Sequence, residues 1–196
     1  MRTGERGEPS CGVHTLVAMQ QRAVMVRQSG PALRSSHGLP HVPLFDKTPY
    51  HQTPGFLTRR LHQIHVAIFL EECAAFNITP VQFSLLKALS AGTEMDQATI
   101  ATQIGVDRTT TAGVLRRLHG RRLVKWRNAP HDLRAKLWRL TTAGNKFVKK
   151  MAPHASRSHE RLVASLTQSQ LGTYIGVLRR LVDANNELGR APLHLK

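Results

Sequence analysis

Apolar residues recur at helical spacing near both ends of the region 53–189. A first helix is predicted over 53–75, and two further helices are predicted over 141–166 and 167–189. Pro153 predicts a kink or break inside the helix that starts at 141. The apolar stripe of the first helix consists of Leu57, Leu61, Ile64, Ile68 and Phe69. Long helices with one apolar face need a surface to pack against.

Between these blocks, helix-capping residues mark three shorter helices. Thr79 and Gln82 have the spacing of a capping box and start one of them. Asp96 starts a shorter helix that ends at Gly105, and Asp107 starts the next helix after a tight turn. Two short helices joined by such a turn predict a helix-turn-helix, a motif whose second helix enters the major groove of DNA.

After these helices the spacing changes from helical to strand-like. Residues 123–127 and 136–140 are predicted to form two short strands, joined by a basic loop over 128–134. The predicted fold is therefore mainly α-helical with a small β-hairpin. The hairpin is the wing of a winged helix-turn-helix over 79–140, with long helices on either side.

The first 43 residues differ in composition from the rest of the chain. They are rich in Gly, Ser, Pro, Gln and Arg and lack sustained periodicity, which predicts a largely disordered extension over 1–43. Met19 and Met25 are alternative starts within it. The folded domain is predicted over 44–196.

The chain carries 28 Lys and Arg against 12 Asp and Glu, a formal charge of +16. Such a balance favours polyanions, of which nucleic acid is the commonest, although a ribosome-associated protein or a basic solvated surface has the same balance. The excess is concentrated, because ten basic and three acidic residues lie between Asp96 and Leu140. Since this segment contains the helix-turn-helix and the hairpin, we interpret it as a DNA-binding surface.

The second helix of the motif begins with hydroxyl side chains that suit contact with base edges. Thr109, Thr110 and Thr111 lie in its first turn, where Thr reaches both bases and phosphates and the helix N-terminus favours phosphate. Arg116 and Arg117 lie two turns further on, where they are placed to contact the DNA backbone. A run of Thr is also an ordinary helix start, so the hydroxyls alone leave both interpretations open.

Several motifs resemble those of the MarR family of winged helix-turn-helix regulators. Residues 106–111, 115–118 and 123–124 resemble its recognition helix and first wing strand, and residues 132–136 with 140–144 resemble its wing and the helix that follows. The resemblance implies a homodimer held by the first and the last two helices, a ligand cleft beside the DNA-binding region, and repression of nearby operons from a pseudo-palindromic operator in double-stranded DNA. The candidate DNA contacts are Arg108, Thr109, Thr110, Thr111, Arg116, Arg117, Arg134 and Lys136.

The wing departs from the family pattern at two positions. An apolar residue replaces a second basic one, so Arg134 alone is expected to reach the minor groove. Arg122 replaces a glycine before the first strand, and a left-handed backbone costs a non-glycine residue about 1 kcal/mol. We therefore expect Gly120 to take over the turn. By the same resemblance, Asp132 holds the wing by pairing with an arginine, for which Arg127 is the candidate.

Cationic side chains near the start of the first helix suit a small acidic ligand. His51, Arg60, His62 and His65 lie before or beside its apolar stripe, and such groups next to apolar walls suit a small aromatic carboxylic acid. Half-exposed flanking residues are an equal alternative for His62 and His65. A zinc site is disfavoured because no Cys or third His has supporting spacing, so no metal or cofactor is predicted. Parts of 54–83 also resemble the MarR branch that controls nicotinic-acid degradation.

Other functional classes have less support. Cys11 and Cys73 cannot form a disulfide framework, which indicates a reducing compartment. A redox-sensing MarR regulator is an alternative, but Glu71 and Glu72 should blunt the reactivity of Cys73. No segment is apolar for long enough to cross a membrane, and a cytoplasmic location is predicted. The chain shows no catalytic set and is predicted not to be an enzyme, which leaves a non-specific architectural nucleic-acid-binding protein as the other alternative.

Overall fold

The computed structural model describes Phe45, residues 47–130, residues 132–189 apart from the side chains of 132–134, and residues 191–193. The extension predicted over 1–43 lies outside the described residues. The helices are α1 Pro54–Glu72, α2 Pro80–Leu89, α3 Gln97–Ile104, α4 Arg108–Gly120, α5 Thr142–Val163 and α6 Gln168–Asn185. The strands are β1 Met95–Asp96, β2 Val124–Ala129 and β3 Asp132–Leu140. Short 3₁₀ turns occupy Tyr50–Gln52, Ala74–Phe76 and Asn186–Leu188.

The strands form one antiparallel sheet in the order β1-β3-β2. The fold is mainly α-helical with a winged helix-turn-helix, as predicted. Within the part of the chain that the structure describes, no helix combines the length and the apolar character needed to cross a membrane.

Most helix starts lie where the capping residues predicted them. The Thr79 hydroxyl accepts a hydrogen bond from the Gln82 N–H at 3.3 Å, and the Gln82 side chain accepts one from the Thr79 N–H at 3.0 Å. Asp96 and Asp107 each accept a bond from the backbone N–H three residues further on. Thr53 differs from the prediction, because its hydroxyl donates to a carbonyl of the preceding 3₁₀ turn and does not cap α1.

The hairpin is longer than predicted. β2 continues to Ala129 and β3 begins at Asp132, and these two residues are paired, so the predicted loop over 128–134 was too long. An irregularity in the register falls between Asn128 and Ala129. Ladder bonds use main-chain groups, so pairing continues through residues whose side chains favour turns. The two-residue strand β1 was not predicted, since so short a strand has no periodicity.

Pro153 does not interrupt α5, which runs without a break from Thr142 to Val163. The predicted break was therefore wrong. Buried side chains on both sides of the proline, including Met151 and Ala155, belong to the core. Their packing compensates for the single backbone hydrogen bond that a proline removes.

The turn before β2 passes through a left-handed residue that is not glycine. Arg122 has a φ of 57°, whereas Gly120 is the last residue of α4, so the prediction that Gly120 takes over the turn was wrong. The Arg122 N–H donates to the His119 carbonyl at 2.8 Å, and the Thr141 hydroxyl donates to the Arg122 carbonyl at 2.8 Å. These bonds hold Arg122 in a conformation that costs about 1 kcal/mol.

The next contact ties the wing to the start of α5. A Cβ on Gly144 would lie 2.0 Å from the carbonyl oxygen of Leu123, so only glycine permits this approach. Thr141 caps α5 by accepting a bond from the Gly144 N–H. The wing and α5 are thereby held together through backbone contact.

The five helices from α1 through α5 and the sheet share one hydrophobic core. Fully buried members include Phe69, Leu86, Ile100, Leu115 and Met151, one from each of these five helices. In contrast, α6 has no buried residue. Its exposed large apolar side chains are Ile175, Val177, Leu178, Leu181 and Val182.

Candidate nucleic-acid interface and effector region

The first turn of the recognition helix α4 is organised by Asp107. Its carboxylate accepts bonds from the Thr110 N–H at 2.9 Å and from the Thr110 hydroxyl at 2.7 Å. These bonds from the Thr110 backbone and side chain lower the pKa of Asp107. The Thr110 side chain is exposed, but its hydroxyl hydrogen is used by the cap. Arg108 and Thr109 are exposed on the same turn.

Thr111 does not belong to the exposed surface. It is fully buried, and its hydroxyl donates to the Val106 carbonyl at 3.3 Å. Its position, four residues before Leu115 and seven before Leu118, is on the buried stripe of α4, whose periodicity the sequence already showed. The expected DNA contact by Thr111 is therefore corrected to a structural role.

The remaining arginines of α4 lie outside the core. Arg116 and Arg117 are exposed, and the Arg117 guanidinium lies back toward Gly113, 3.6 Å from where a Cβ would stand there. The Gln97 side-chain amide donates to the Arg108 carbonyl at 2.9 Å. This bond connects the first turns of α3 and α4, the two helices of the motif.

On the wing, the exposed side chain of Lys136 packs over the aromatic ring of Trp126. The Lys136 ammonium lies 4.0 Å from the centre of the Trp126 ring, a cation–π contact that limits the positions of the lysine. Trp126 is paired with Trp138 across the strands, and Trp138 is buried edge-on against His119. Arg134 is a β3 residue whose side chain lies outside the described part, so its DNA contact stays a prediction.

Arg127 is engaged by a carboxylate that sequence reasoning missed. Its Nε donates to Glu94 at 2.8 Å, and Arg139 lies 3.4 Å from the other oxygen of the same carboxylate. The side chain of Asp132, the predicted partner of Arg127, is not among those described. The signal in the sequence that could have indicated this contact is the acidic residue Glu94, two positions before the basic segment that begins at Asp96.

The effector candidates separate into two groups. His65 stacks on His159, with ring centres 5.4 Å apart, and His62 is close enough to His65 to affect its pKa. Arg60 is exposed and bonds to its neighbour Gln63 on α1, and His51 is exposed in the turn before the helix. The structure thus brings His62 and His65 together with His159, which the sequence analysis did not single out.

His65 has the environment of a binding group. Its Nε2 is buried and has no hydrogen-bond partner among the described residues. Burial, followed by the neighbouring His159 and His62, lowers the pKa of His65, so the ring is neutral at pH 7. Beyond it, Phe69 and Phe83 continue a row of rings from α1 to α2. A buried polar atom beside an aromatic wall suits a flat ligand with one polar group.

The other end of α1 is fixed by ion pairs. Arg161 on α5 bonds to both Glu71 and Glu72 at 3.0 and 2.7 Å, and Arg157 bonds to Glu72 at 3.2 Å. The hydrogen bonds from Arg161 and Arg157 lower the pKa of Glu72. These contacts hold the C-terminal end of α1 against α5, and the histidine cluster lies further along the same two helices.

The sequence matches the MarR family over residues 76–135. The transcriptional repressor NicR of Pseudomonas putida is 32% identical over 146 residues, which cover 74% of this chain and 92% of NicR. The chain belongs to the MarR family.

Solved structures of other MarR-family proteins share the fold. Bordetella bronchiseptica BpsR, whose DNA binding is regulated by 6-hydroxynicotinic acid, is 29% identical with a TM-score of 0.66, covering 69% of this chain and 96% of BpsR. The repressor CouR, solved on a 23-mer DNA duplex, is 27% identical with a TM-score of 0.62, covering 66% of this chain and 92% of CouR. The proteins that this MarR-family chain is similar to are transcriptional regulators, a non-enzymatic role.

Cys73 bears on the redox-sensing alternative within the MarR family. The residue is almost fully buried, and burial and then the charge of Glu72 raise the pKa of its thiol. A thiol with a raised pKa carries little thiolate at neutral pH and reacts slowly. Among the described residues, no three His, Cys, Asp or Glu side chains gather in a way that would hold a metal ion.

Proposed function

We propose that this chain is a homodimeric repressor that binds a pseudo-palindromic operator and is released by a small aromatic acid. The observation that supports operator binding is the capped recognition helix with exposed Arg108 and Thr109 beside a cationic wing, in a MarR-family chain. Exposed Arg116 and Arg117 would hold phosphates, while the first turn of α4 faces base edges. Such a regulator acts on chromosomal DNA in the cytoplasm and needs no enzymatic activity.

The histidine cluster, formed by His62, His65 and His159, is the proposed effector site. A carboxylate or ring hydroxyl of the ligand would form a hydrogen bond with the buried Nε2 of His65, and its ring would pack beside the row formed by His159, His65 and Phe69. BpsR supports an acid of the nicotinate type, because its DNA binding is regulated by 6-hydroxynicotinic acid. Arg60 is exposed and bonded to Gln63, and His51 lies in the exposed turn before α1, so neither belongs to the proposed site.

The effector releases DNA only if its affinity differs between two conformations of the dimer. The cluster joins α1 to α5, and α5 contacts the wing through Gly144, so a ligand that changes the spacing of α1 and α5 changes the position of the wing. A coupling of about 1–3 kcal/mol is typical of such linkage.

A binding assay tests the proposal. Duplexes selected from a randomised pool by the wild-type protein are titrated with nicotinate, 6-hydroxynicotinate, salicylate and benzoate, and the fraction released is measured. We expect release by at least one acid, and its loss in His65→Gln and His159→Gln with operator binding intact. The matched control, His51→Gln, makes the same change outside the cluster and should be released like wild type.

The outcomes separate the parts of the proposal. If no duplex were enriched over scrambled DNA, the protein would be an architectural binder and not an operator-specific repressor. If the acids released the two cluster variants as readily as wild type, the effector site would lie elsewhere on the protein.

A further inference from the structure

Glu94 lies at the junction between the helix-turn-helix and the wing. It precedes Met95, which is paired with Trp138, so continuing the antiparallel register aligns Glu94 with Arg139 on β3. Its side chain is 23% exposed, less than half the exposure of either arginine that it contacts. Glu94 is therefore a partly buried anion that contacts the basic segment between Asp96 and Leu140 from just outside it.

The carboxylate connects both strands of the wing to the segment before β1. One oxygen accepts from Arg127 on β2 at 2.8 Å, and the other lies 3.4 Å from the Nε of Arg139 on β3. The hydrogen bond from Arg127, then the charges of Arg127, Arg139 and Lys125, outweigh the effect of desolvation and lower the pKa of Glu94. The group is ionised at neutral pH and neutralises wing charge.

We infer that Glu94 is a positioning residue that sets the specificity of DNA binding by holding Arg127 and Arg139 on the wing and away from phosphates. The inference rests on the proposed DNA-binding function. The contacts of Glu94 with both strands hold the wing against the segment that leads into α3, which preserves the geometry for the operator. The same bonds occupy two guanidinium groups that would otherwise bind any duplex.

Loss of Glu94 should change the ratio of the affinity for operator DNA to the affinity for scrambled DNA. Non-specific binding comes from phosphate contacts and counterion release, with about 0.9 unit of slope in log K against log[salt] for each phosphate neutralised. Freed arginines add such contacts on every sequence, whereas a loosened wing adds nothing to base recognition. Loss of Glu94 should therefore strengthen binding to scrambled DNA and lower the preference for the operator.

The test compares Glu94→Gln with Glu160→Gln, which makes the same charge change at an exposed position on α5. Binding is measured over a salt series on a duplex selected by the wild-type protein and on a scrambled duplex of equal length. We expect Glu94→Gln to steepen the slope on scrambled DNA by about 1 to 2 units and to lower the operator preference. Glu160→Gln should leave the slope within about half a unit of wild type.

Arginine variants keep the inference testable if Glu94→Gln folds poorly. Because both arginines are paired with Glu94 in the wild-type protein, Arg127→Gln with Arg139→Gln should leave the wild-type salt slope unchanged. In that background, adding Glu94→Gln should no longer steepen the slope. A purely structural role for Glu94 would not give this dependence on the arginines.

The results also separate this inference from the function on which it rests. If the wild-type protein bound neither duplex, the proposed function and the inference would both fail. If it bound the selected duplex, and Glu94→Gln matched Glu160→Gln in slope and preference, only the inference would fail. A flatter slope in the double arginine variant would also contradict it, since the two arginines would then already contact phosphates.

Discussion

At the scale of single residues, the turn before the wing depends on a strained arginine. Arg122 has a φ of 57°, which glycine adopts without penalty, so Arg122→Gly should raise the free energy of unfolding by up to about 1 kcal/mol. Urea denaturation followed by circular dichroism measures this change. The matched control, Arg116→Gly inside α4, should lower it by about 1 kcal/mol, since glycine is a poor helix former. Destabilisation by Arg122→Gly would mean that its side chain contributes more than its backbone costs.

The lowered pKa of His65 predicts how stability depends on pH. The unfolded chain takes up a proton near the ordinary pKa of about 6.5, whereas the folded protein resists protonation until a lower pH. The unfolded state therefore binds more protons below pH 6.5, and the free energy of unfolding falls as the pH falls from there, levelling off below the folded pKa. Above pH 6.5 the full contribution is present.

The variant His65→Gln removes this dependence. Denaturation curves at pH 7.5 and 5.5 should show a smaller loss of stability for His65→Gln than for wild type. His51→Gln, which changes an exposed histidine, should keep the loss of the wild-type protein. An equal loss in wild type and His65→Gln would show that other groups set the acid sensitivity.

At the scale of elements, the sequence was most informative where one side chain determines a boundary. Capping by Thr79, Asp96 and Asp107 is local, so these helix starts were confirmed. The hairpin was predicted too short because strand pairing depends on main-chain groups of a distant segment, and β1 exists only because β3 lies beside it. The break at Pro153 was wrongly predicted for the same reason, since packing across helices holds α5 together, whereas the alternative of a kink stays a prediction.

The candidate site residues also divide into those that local sequence could have identified and those that depend on distant segments. Thr111 could have been excluded by its spacing to Leu115 and Leu118 on the buried stripe. His159 and Glu94 could not have been found, because each is brought to its partner by packing or pairing of distant segments. Periodicity shows which side of a helix is buried, but it does not show which other element lies against it.

The recognition helix gives a prediction that separates contact from packing. Thr109→Ala should lower the preference for operator over scrambled DNA while leaving stability nearly unchanged, because Thr109 is exposed. Thr111→Ala should lower the free energy of unfolding by about 1–3 kcal/mol, because it leaves a small cavity and removes the hydrogen bond to Val106. Binding of fluorescent duplexes and urea denaturation measure the two effects. Equal loss of preference in both variants would contradict this assignment.

At the scale of the whole molecule, α6 presents an apolar face for which the described part of the chain supplies no partner. Four of its five exposed large apolar side chains, at positions 175, 178, 181 and 182, share one face of the helix. At the end of α6, Asn186 bonds to both the N–H and the carbonyl of Leu193, and residues 191–193 approach Gly105 in the turn of the helix-turn-helix. A change in the packing of α6 would therefore reach the start of the recognition helix.

Dimerisation through α6 predicts a coupled loss of mass and of operator binding. Leu181→Asp places a charge in the apolar face, where burial against a second copy would cost several kcal/mol, and should give a monomer. The matched control, Thr173→Asp, adds the same charge to the opposite face of α6 and should stay dimeric. Light scattering measures the mass, and footprinting measures the protected length, which for a dimer spans two half-sites about one helical turn apart.

If Leu181→Asp stayed dimeric and kept the full footprint, α6 would not form the interface. A monomeric wild-type protein with a single half-site footprint would contradict the two-fold arrangement itself.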